Sequence, residues 1–370
     1  MHSPRDAQLM QRALELARCG EGFVEPNPMV GCVIVRSGRI VGEGYHRRFG
    51  GPHAEVFALR QAGKRARGAT AYVTLEPCSH FGKTPPCADA LIDAGVKRVI
   101  VATCDPNPRV SGRGLKKLRA ADIDVRIGLL EAEAQRLIAP FAKLIRRRTP
   151  YVILKWAQSL DGRLATHRGD SKWITCEASR AAAHAIRARV DAVLVGIETV
   201  LADDPDLTAR HVRPRRVATR VVLDSRLRTP PRCRLVRTAR RAPVLIVTST
   251  ARARDRAAVA RWSRAGCEVI GVPVRGGRLD LRRVLLELGR RSMTNVMVEG
   301  GPKVLGAFLS AGLVDEGRVF VSPKLLGGEG PHGPMGEFAV PAVRRALSPR
   351  VERIEAIGED LCYIMSFRGG

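Results

Sequence analysis

His53, Cys78 and Cys87 are metal-ligand side chains on three separate stretches, and sharing one ion obliges the chain between them to bring those stretches to a point. A His/Cys/Cys set fills three tetrahedral positions and leaves the fourth open, whereas structural zinc is usually closed by four protein ligands. The open position points to catalysis. Ala71 to Leu75 is an apolar, strand-like run, with His53-Ala54-Glu55 at the start of a helix before it and Glu76-Pro77-Cys78 expected at the start of another after it. That order places the ligands at one end of a sheet, where helix N-termini favour thiolate over thiol. Singly, a histidine ahead of an apolar helix is usually an ordinary polar residue and a cysteine a small buried hydrophobe. The joint pattern outweighs those readings.

Glu55 turns metal binding into chemistry. Residues two apart on a helix point away from each other, so His53 and Glu55 have different roles. Zinc brings a water's pKa from about 16 toward about 7, and a carboxylate beside it can carry a proton to a leaving amine. His-x-Glu followed by Pro-Cys and a second Cys is the pattern of zinc nucleobase deaminases. The spacing to the second cysteine departs from the general form, with eight residues, Ser79 to Pro86, where two are usual.

At 370 residues the chain exceeds what one core usually supports, and two domains are expected, 1–148 and 149–370. Hydrophobic residues at 45% and charged residues at 27% exclude wholesale disorder. No apolar run approaches the roughly 18 residues of a spanning helix, and Met1 to Asp6 carries no hydrophobic signal segment, so a cytoplasmic protein without a membrane partner is expected. Nine cysteines are too sparse for a disulfide framework; the seven outside the ligand set read as reduced packing residues. The net charge of +27 suits either nucleic acid or phosphorylated small molecules. Basic residues spread along the whole chain and only 4% aromatics favour the small molecules, with no nucleic-acid partner expected.

The first half alternates strand and helix, a layered α/β pattern. Asp6 to Cys19 has helical apolar spacing, and Cys32 to Val35 and Ile40 to His46 read as a hairpin. A helix follows over 88–94, a strand over 96–102, a helix over 115–121, a strand over 123–127 and one last helix over 131–145. Arg146-Arg147-Arg148-Thr149-Pro150 marks the boundary. Asn27, between two prolines, is a candidate amide contact or a turn residue. His46 and His80 are substrate contacts or ordinary surface groups.

A second α/β domain starts with the strand Tyr151 to Trp156. Further strands are expected over 191–196, 221–223, 244–247 and 269–272, with helices over 177–189, 251–265 and 279–288 and a polar loop over 199–210. Val296 to Gly306 runs from a strand through Glu299-Gly300-Gly301 into a helix, a turn that either cradles a dinucleotide phosphate or serves packing alone. Lys155 reads as a catalytic group or as a solvated residue on an edge strand.

With these segments on the page the chain resembles the bacterial bifunctional riboflavin-biosynthesis deaminase/reductases over nearly its whole length. The shared stretches are Asn27-Pro28-x-Val30-Gly31, Gly44-Tyr45-His46, His53-Ala54-Glu55, Glu76-Pro77-Cys78-x8-Cys87, Asp105-Pro106-Asn107-Pro108, Ser159-Leu160-Asp161-Gly162, Leu201-Ala202-Asp203-Asp204-Pro205 and Glu299-Gly300-Gly301-Pro302. The eight-residue spacing is the form this family uses. The resemblance implies an α/β protein with a cytidine-deaminase-like N-terminal domain and a dihydrofolate-reductase-like C-terminal domain. It implies zinc and NADPH as cofactors and phosphorylated pyrimidine substrates; a homo-oligomer is expected as well. By resemblance, His53, Cys78 and Cys87 hold zinc, Glu55 moves protons, and Asn27, His46, His80 and Lys83 contact the deaminase substrate. Likewise Ala157, Trp173, Thr199, Asp203, Ser225 and the segment Gly301, Pro302, Lys303, Val304, Leu305, Gly306 and Ala307 fall at cofactor positions. Ser171, Arg187, Leu207, Arg210 and Glu299 fall at substrate positions, and Lys155, Asp203 and Glu299 are candidates for opening the ribose before hydride transfer. Two other readings stay open: a deaminase of a base, nucleoside or RNA whose second domain recruits substrate, and a basic RNA-binding protein with structural zinc.

Overall fold

The computed structural model describes residues 3–81, 85–108, 110–328, 333–336 and 338–367, and they fall into two compact units, 1–148 and 149–370. In the first unit α1 (Pro4–Arg18) precedes the hairpin β1 (Gly31–Arg36) and β2 (Arg39–Tyr45). Then come α2 (Ala54–Ala62), β3 (Thr70–Val73), α3 (Cys87–Asp93), β4 (Arg98–Val101), α4 (Arg113–Ala120) and β5 (Asp124–Ile127). Among the described residues the strands form one sheet in the order β2-β1-β3-β4-β5, antiparallel about β1 and parallel from β3 to β5.

Period-two alternation divides the core between the two faces of this sheet. Cys32 and Ile34 of β1 face α2, α3 and α4, while Val33 and Val35 face α1. Glycines set how closely α2 can lie on β2: a Cβ on Gly42 would come 2.1 Å from the carbonyl oxygen of Ala58, and one on Gly44 would come 2.4 Å from that of Ala54. The side-chain-free edge of β2 therefore fixes where α2 begins, and with it His53, its N-cap residue.

Two expectations for this unit are corrected. Cys78 does not start a helix; it lies in the loop after β3, and α3 starts at Cys87. The expected helix over 131–145 is two, α5 (Glu131–Leu137) and α6 (Ala139–Arg147). Pro140 is the reason, since proline has no N–H to give and crowds the preceding turn.

The second unit is built on β6 (Tyr151–Ser159), α7 (Glu177–Arg187), β7 (Ala192–Gly196), α8 (Ile197–Asp203), β8 (Thr219–Leu223), α9 (Arg234–Arg237) and β9 (Val244–Ser249). It continues through α10 (Thr250–Arg254), α11 (Arg256–Arg264), β10 (Glu268–Val272), the short pair β11 (Val274–Arg275) and β12 (Arg278–Leu279), and α12 (Leu281–Arg290). It closes with β13 (Asn295–Val298), α13 (Pro302–Ser310), β14 (Glu316–Ser322), β15 (Arg350–Ile357) and β16 (Asp360–Ser366). The main sheet has the order β10-β9-β8-β7-β13-β6-β14-β16-β15, parallel from β10 to β14 and antiparallel beyond. Ala192 and Leu194 of β7 enter one core and Val193 and Val195 the other.

Three readings change here. Lys155 is not on an edge, because β6 lies between β13 and β14. Residues 199–203, expected in a loop, belong to α8. The expected helix over 251–265 breaks at Asp255, whose carboxylate accepts from the N–H of Ala258 at 2.9 Å and starts α11. Aspartate competes for backbone N–H groups in this way and favours caps over helix interiors. No helix among the described residues is long and apolar enough to cross a membrane.

Candidate active sites

The first unit holds a cleft of about 340 Å³ lined by Asn27, His46, His53, Glu55, Cys78 and His80, so distant stretches of the chain do converge. His53 Nδ1 lies 3.1 Å from Cys87 Sγ and 3.6 Å from Cys78 Sγ, and one donor atom from each ligand falls within 4.8 Å of the others. Zinc bonds of roughly 2.0 Å to nitrogen and 2.3 Å to sulfur, set tetrahedrally, need donor separations of about 3.5–3.8 Å. The trio fits. The Cys87 backbone N–H donates to Cys78 Sγ at 3.3 Å. Hydrogen bonding from Cys87, reinforced by His53 and opposed by burial, holds the Cys78 thiol down to about 4.

Glu55, in the first turn of α2, is 3% exposed. Its Oε2 is buried with no hydrogen-bond partner among the described residues, and burial raises its pKa. A buried polar atom without a partner is costly, and here it faces a polar cleft beside three metal donors. His46 Nδ1 donates to the carbonyl oxygen of Pro52 at 3.0 Å, which leaves Nε2 to accept from Asn27 Nδ2 at 3.2 Å. Asn27 is therefore tied into the cleft wall, and burial keeps His46 below its ordinary pKa. Lys83 lies outside the described residues.

In the second unit a cleft of about 620 Å³ opens at the carboxyl ends of the parallel strands. This is where open α/β sheets bind ligands. Lys155, Ala157, Ser171, Trp173, Thr199 and Asp203 line it, as do Arg187, Arg210, Glu299, Gly301 and Pro302. Gly301 is the N-cap of α13 and provides no side-chain cap, and with Pro302 it lines the cleft where the helix begins. Arg187 grips Glu299 with both arms of its fork, Nε to Oε1 and Nη2 to Oε2, each at 2.6 Å. Burial works to raise the Glu299 carboxyl, but Arg187 outweighs it and holds Glu299 at about 2. The fork of Arg187, a residue expected at a substrate position, is taken by this carboxylate, which leaves Arg210 as the more exposed guanidinium of the two. Burial lowers the Lys155 pKa, with the Glu299 charge opposing.

Over residues 3–103 the chain matches the family model described as the cytidine and deoxycytidylate deaminase zinc-binding region, and over 150–363 that of the RibD C-terminal domain. The riboflavin biosynthesis protein RibD of Aquifex aeolicus (strain VF5) is 45% identical over 356 residues, covering 96% of this chain and 97% of that protein. Its counterpart from Escherichia coli (strain K12) is 44% identical over 373 residues, covering 97% and 98%. The chain belongs to the RibD family.

Solved RibD structures share the whole architecture. Acinetobacter baumannii RibD, form 1, superposes with a TM-score of 0.86 at 38% identity, covering 99% of both chains. A Thermotoga maritima structure titled a diaminohydroxyphosphoribosylaminopyrimidine deaminase/5-amino-6-(5-phosphoribosylamino)uracil reductase gives 0.85 at 38% identity, covering 98% of this chain and 99% of that one. As a RibD the chain is a bifunctional deaminase and reductase of riboflavin biosynthesis, with zinc and NADPH as its cofactors, and it acts on small molecules.

Not every candidate residue reaches a RibD cleft. Leu207 and Leu305 are core residues, Gly306 packs against the backbone of Met335, and Lys303, Val304, Ala307 and Ser225 do not line the cleft. Conversely, Asp105, Asn107 and Phe141 line the first cleft and Lys172, Arg180 and His184 the second, all outside the residues singled out for the sites. Asn107 carries a legible signal, since it sits between two prolines as Asn27 does. Phe141 carries none.

Proposed function

We propose that the first unit deaminates 2,5-diamino-6-ribosylamino-4(3H)-pyrimidinone 5′-phosphate and that the second reduces the ribosyl group of the product to ribityl. Convergence of His53, Cys78 and Cys87 on the buried, unpartnered Oε2 of Glu55 carries the deaminase assignment. When bound, zinc supplies a Lewis acid and a water acidic enough to react at neutral pH. Glu55 moves the proton from that water to the leaving amino group, its raised pKa suiting it to give the proton back. Asn27 and His46 orient the heterocycle as one bonded pair, and His80 and Lys83 receive the phosphate.

In the second unit the Gly301 turn and Thr199 would hold NADPH, which would supply the hydride that reduces the ribosyl group. Ala157, Trp173 and Asp203 line the cofactor side and Ser171 and Arg210 the substrate side. Lys155, its pKa lowered by burial, and Asp203 exchange protons as the ring opens, while Arg187 holds Glu299 ionised beside them. Exposed Val351 and Ile354 on the edge strand β15 support a homo-oligomer, and nine free cysteines support a reducing, cytoplasmic setting.

Glu55→Gln tests the assignment. Ammonia release should fall at least a thousandfold with zinc still bound, as loss of the proton carrier demands. Near-normal release would remove Glu55 from the chemistry. Oxidation of NADPH by the deaminated substrate, followed at 340 nm, separates this reading from a base or RNA deaminase whose second domain only recruits.

A further inference from the structure

Glu76 is a second buried glutamate beside the zinc ligands, and its surroundings are the opposite of those of Glu55. It is 4% exposed, and both carboxylate oxygens are engaged by backbone N–H groups far along the chain. Oε2 accepts from Asp105 at 3.2 Å and from Gly112 at 2.9 Å, and Oε1 accepts from Gly114 at 3.0 Å. The Glu76 N–H in turn donates to the carbonyl oxygen of Thr103 at 3.0 Å. Four bonds thus join the ligand loop, two residues before Cys78, to segment 103–114.

That segment shapes the cleft. Asp105 and Asn107 line it, and the Asn107 N–H donates to Asp105 Oδ1 at 2.8 Å, so the two move as one. The approach is as close as backbone allows: a Cβ on Gly114 would lie 1.9 Å from the carbonyl oxygen of Pro77 and 3.3 Å from Glu76 Oε1. A carboxylate accepting charge-assisted bonds from three amides is a clamp. No apolar or neutral side chain of similar size supplies three acceptor sites in this geometry.

We propose that Glu76 is a positioning residue for the deaminase substrate, locking segment 103–114 to the zinc-ligand loop so that Asp105 and Asn107 meet the substrate at a fixed distance from the metal. It rests on the deaminase reading of this cleft. Glu76 is not one of the metal donors, and its oxygens are engaged by backbone amides rather than offered to a proton. Its contribution is the register between the two loops.

Glu76→Gln replaces one acceptor oxygen with an NH2 that opposes a backbone N–H at nearly unchanged volume. In the full zinc-loaded chain, KM for deamination should rise about tenfold or more with kcat changed less than about threefold, zinc content unchanged and reduction of the deaminated substrate intact. Amide hydrogen exchange over 105–114 should accelerate while α2 stays protected. In the Glu76→Gln background, Asn107→Ala should cost much less than in the unaltered chain, because the clamp acts through the residues it holds. Three results would overturn the proposal: unchanged KM, costs of the two substitutions that simply add, or loss of zinc, which would make Glu76 a support of the metal instead. Failure of the unaltered chain to deaminate would overturn the deaminase reading along with it.

Discussion

Glu299 shows how a single residue's setting decides its use. Its carboxylate, gripped by Arg187, stays ionised down to about 2, and nearby His184 is drawn down to about 4, by burial first and then by the charges of Arg187 and Arg210. In both cases the folded chain refuses a proton that the unfolded chain takes, so stability rises with pH. The contribution of Glu299 is complete above its ordinary 4.5 and fades as pH falls toward 2. That of His184 is complete above 6.5 and is lost between 6.5 and 4. Thermal unfolding of the second unit should therefore shift to lower temperature on acidification from pH 7 to 4, and His184→Asn should flatten that dependence. An unaltered slope in the variant would exclude His184 as its source. Glu299→Gln leaves Arg187 buried against a neutral partner and should cut reduction at least tenfold, with deamination surviving as the internal control. Loss of both activities would mean misfolding.

Elements set the distances that chemistry needs. Helix α2 brings His53 and Glu55 to the cleft only because Gly42 and Gly44 let it rest on the β2 backbone. Gly42→Ala sets a methyl 2.1 Å from a carbonyl oxygen, and the helix has to move. Overpacking of this kind costs about 1–3 kcal/mol. Zinc content and deamination should drop together while reduction persists; full retention of zinc would show that α2 can shift without moving its N-terminus. At this scale much was legible in advance, since the β1–β2 hairpin and the parallel strands β7 to β10 follow the apolar pattern. Breaks at Pro140 and Asp255 were harder to see because the flanking residues keep helical spacing through them. The strands β14, β15 and β16 have no counterpart among those expected from the sequence. Most residues of β15 are exposed, so no run of buried side chains announced it.

On the scale of the whole molecule the net charge is +27, and the ligands proposed for both sites are anions. Such a field raises the encounter rate of phosphorylated ligands and is screened by salt. For both reactions kcat/KM should fall severalfold between low and about 0.5 M ionic strength, with kcat nearly constant; salt-independent kcat/KM would assign the charge to composition alone. Zinc chelation should silence deamination and leave reduction untouched. The metal ligands, the glycine turn at Gly300-Gly301, the class of fold and the family were all readable from the chain itself, because each is a local pattern of residue types that chemistry or backbone geometry demands. Which candidates line a cleft was decided only by tertiary structure. Lys155 became interior through strand order, the Arg187 fork was claimed by Glu299, 112 residues away, and Glu76 became a clamp through amides 29 to 38 residues away. Burial and long-range partners depend on how the layers stack, and no local pattern encodes that.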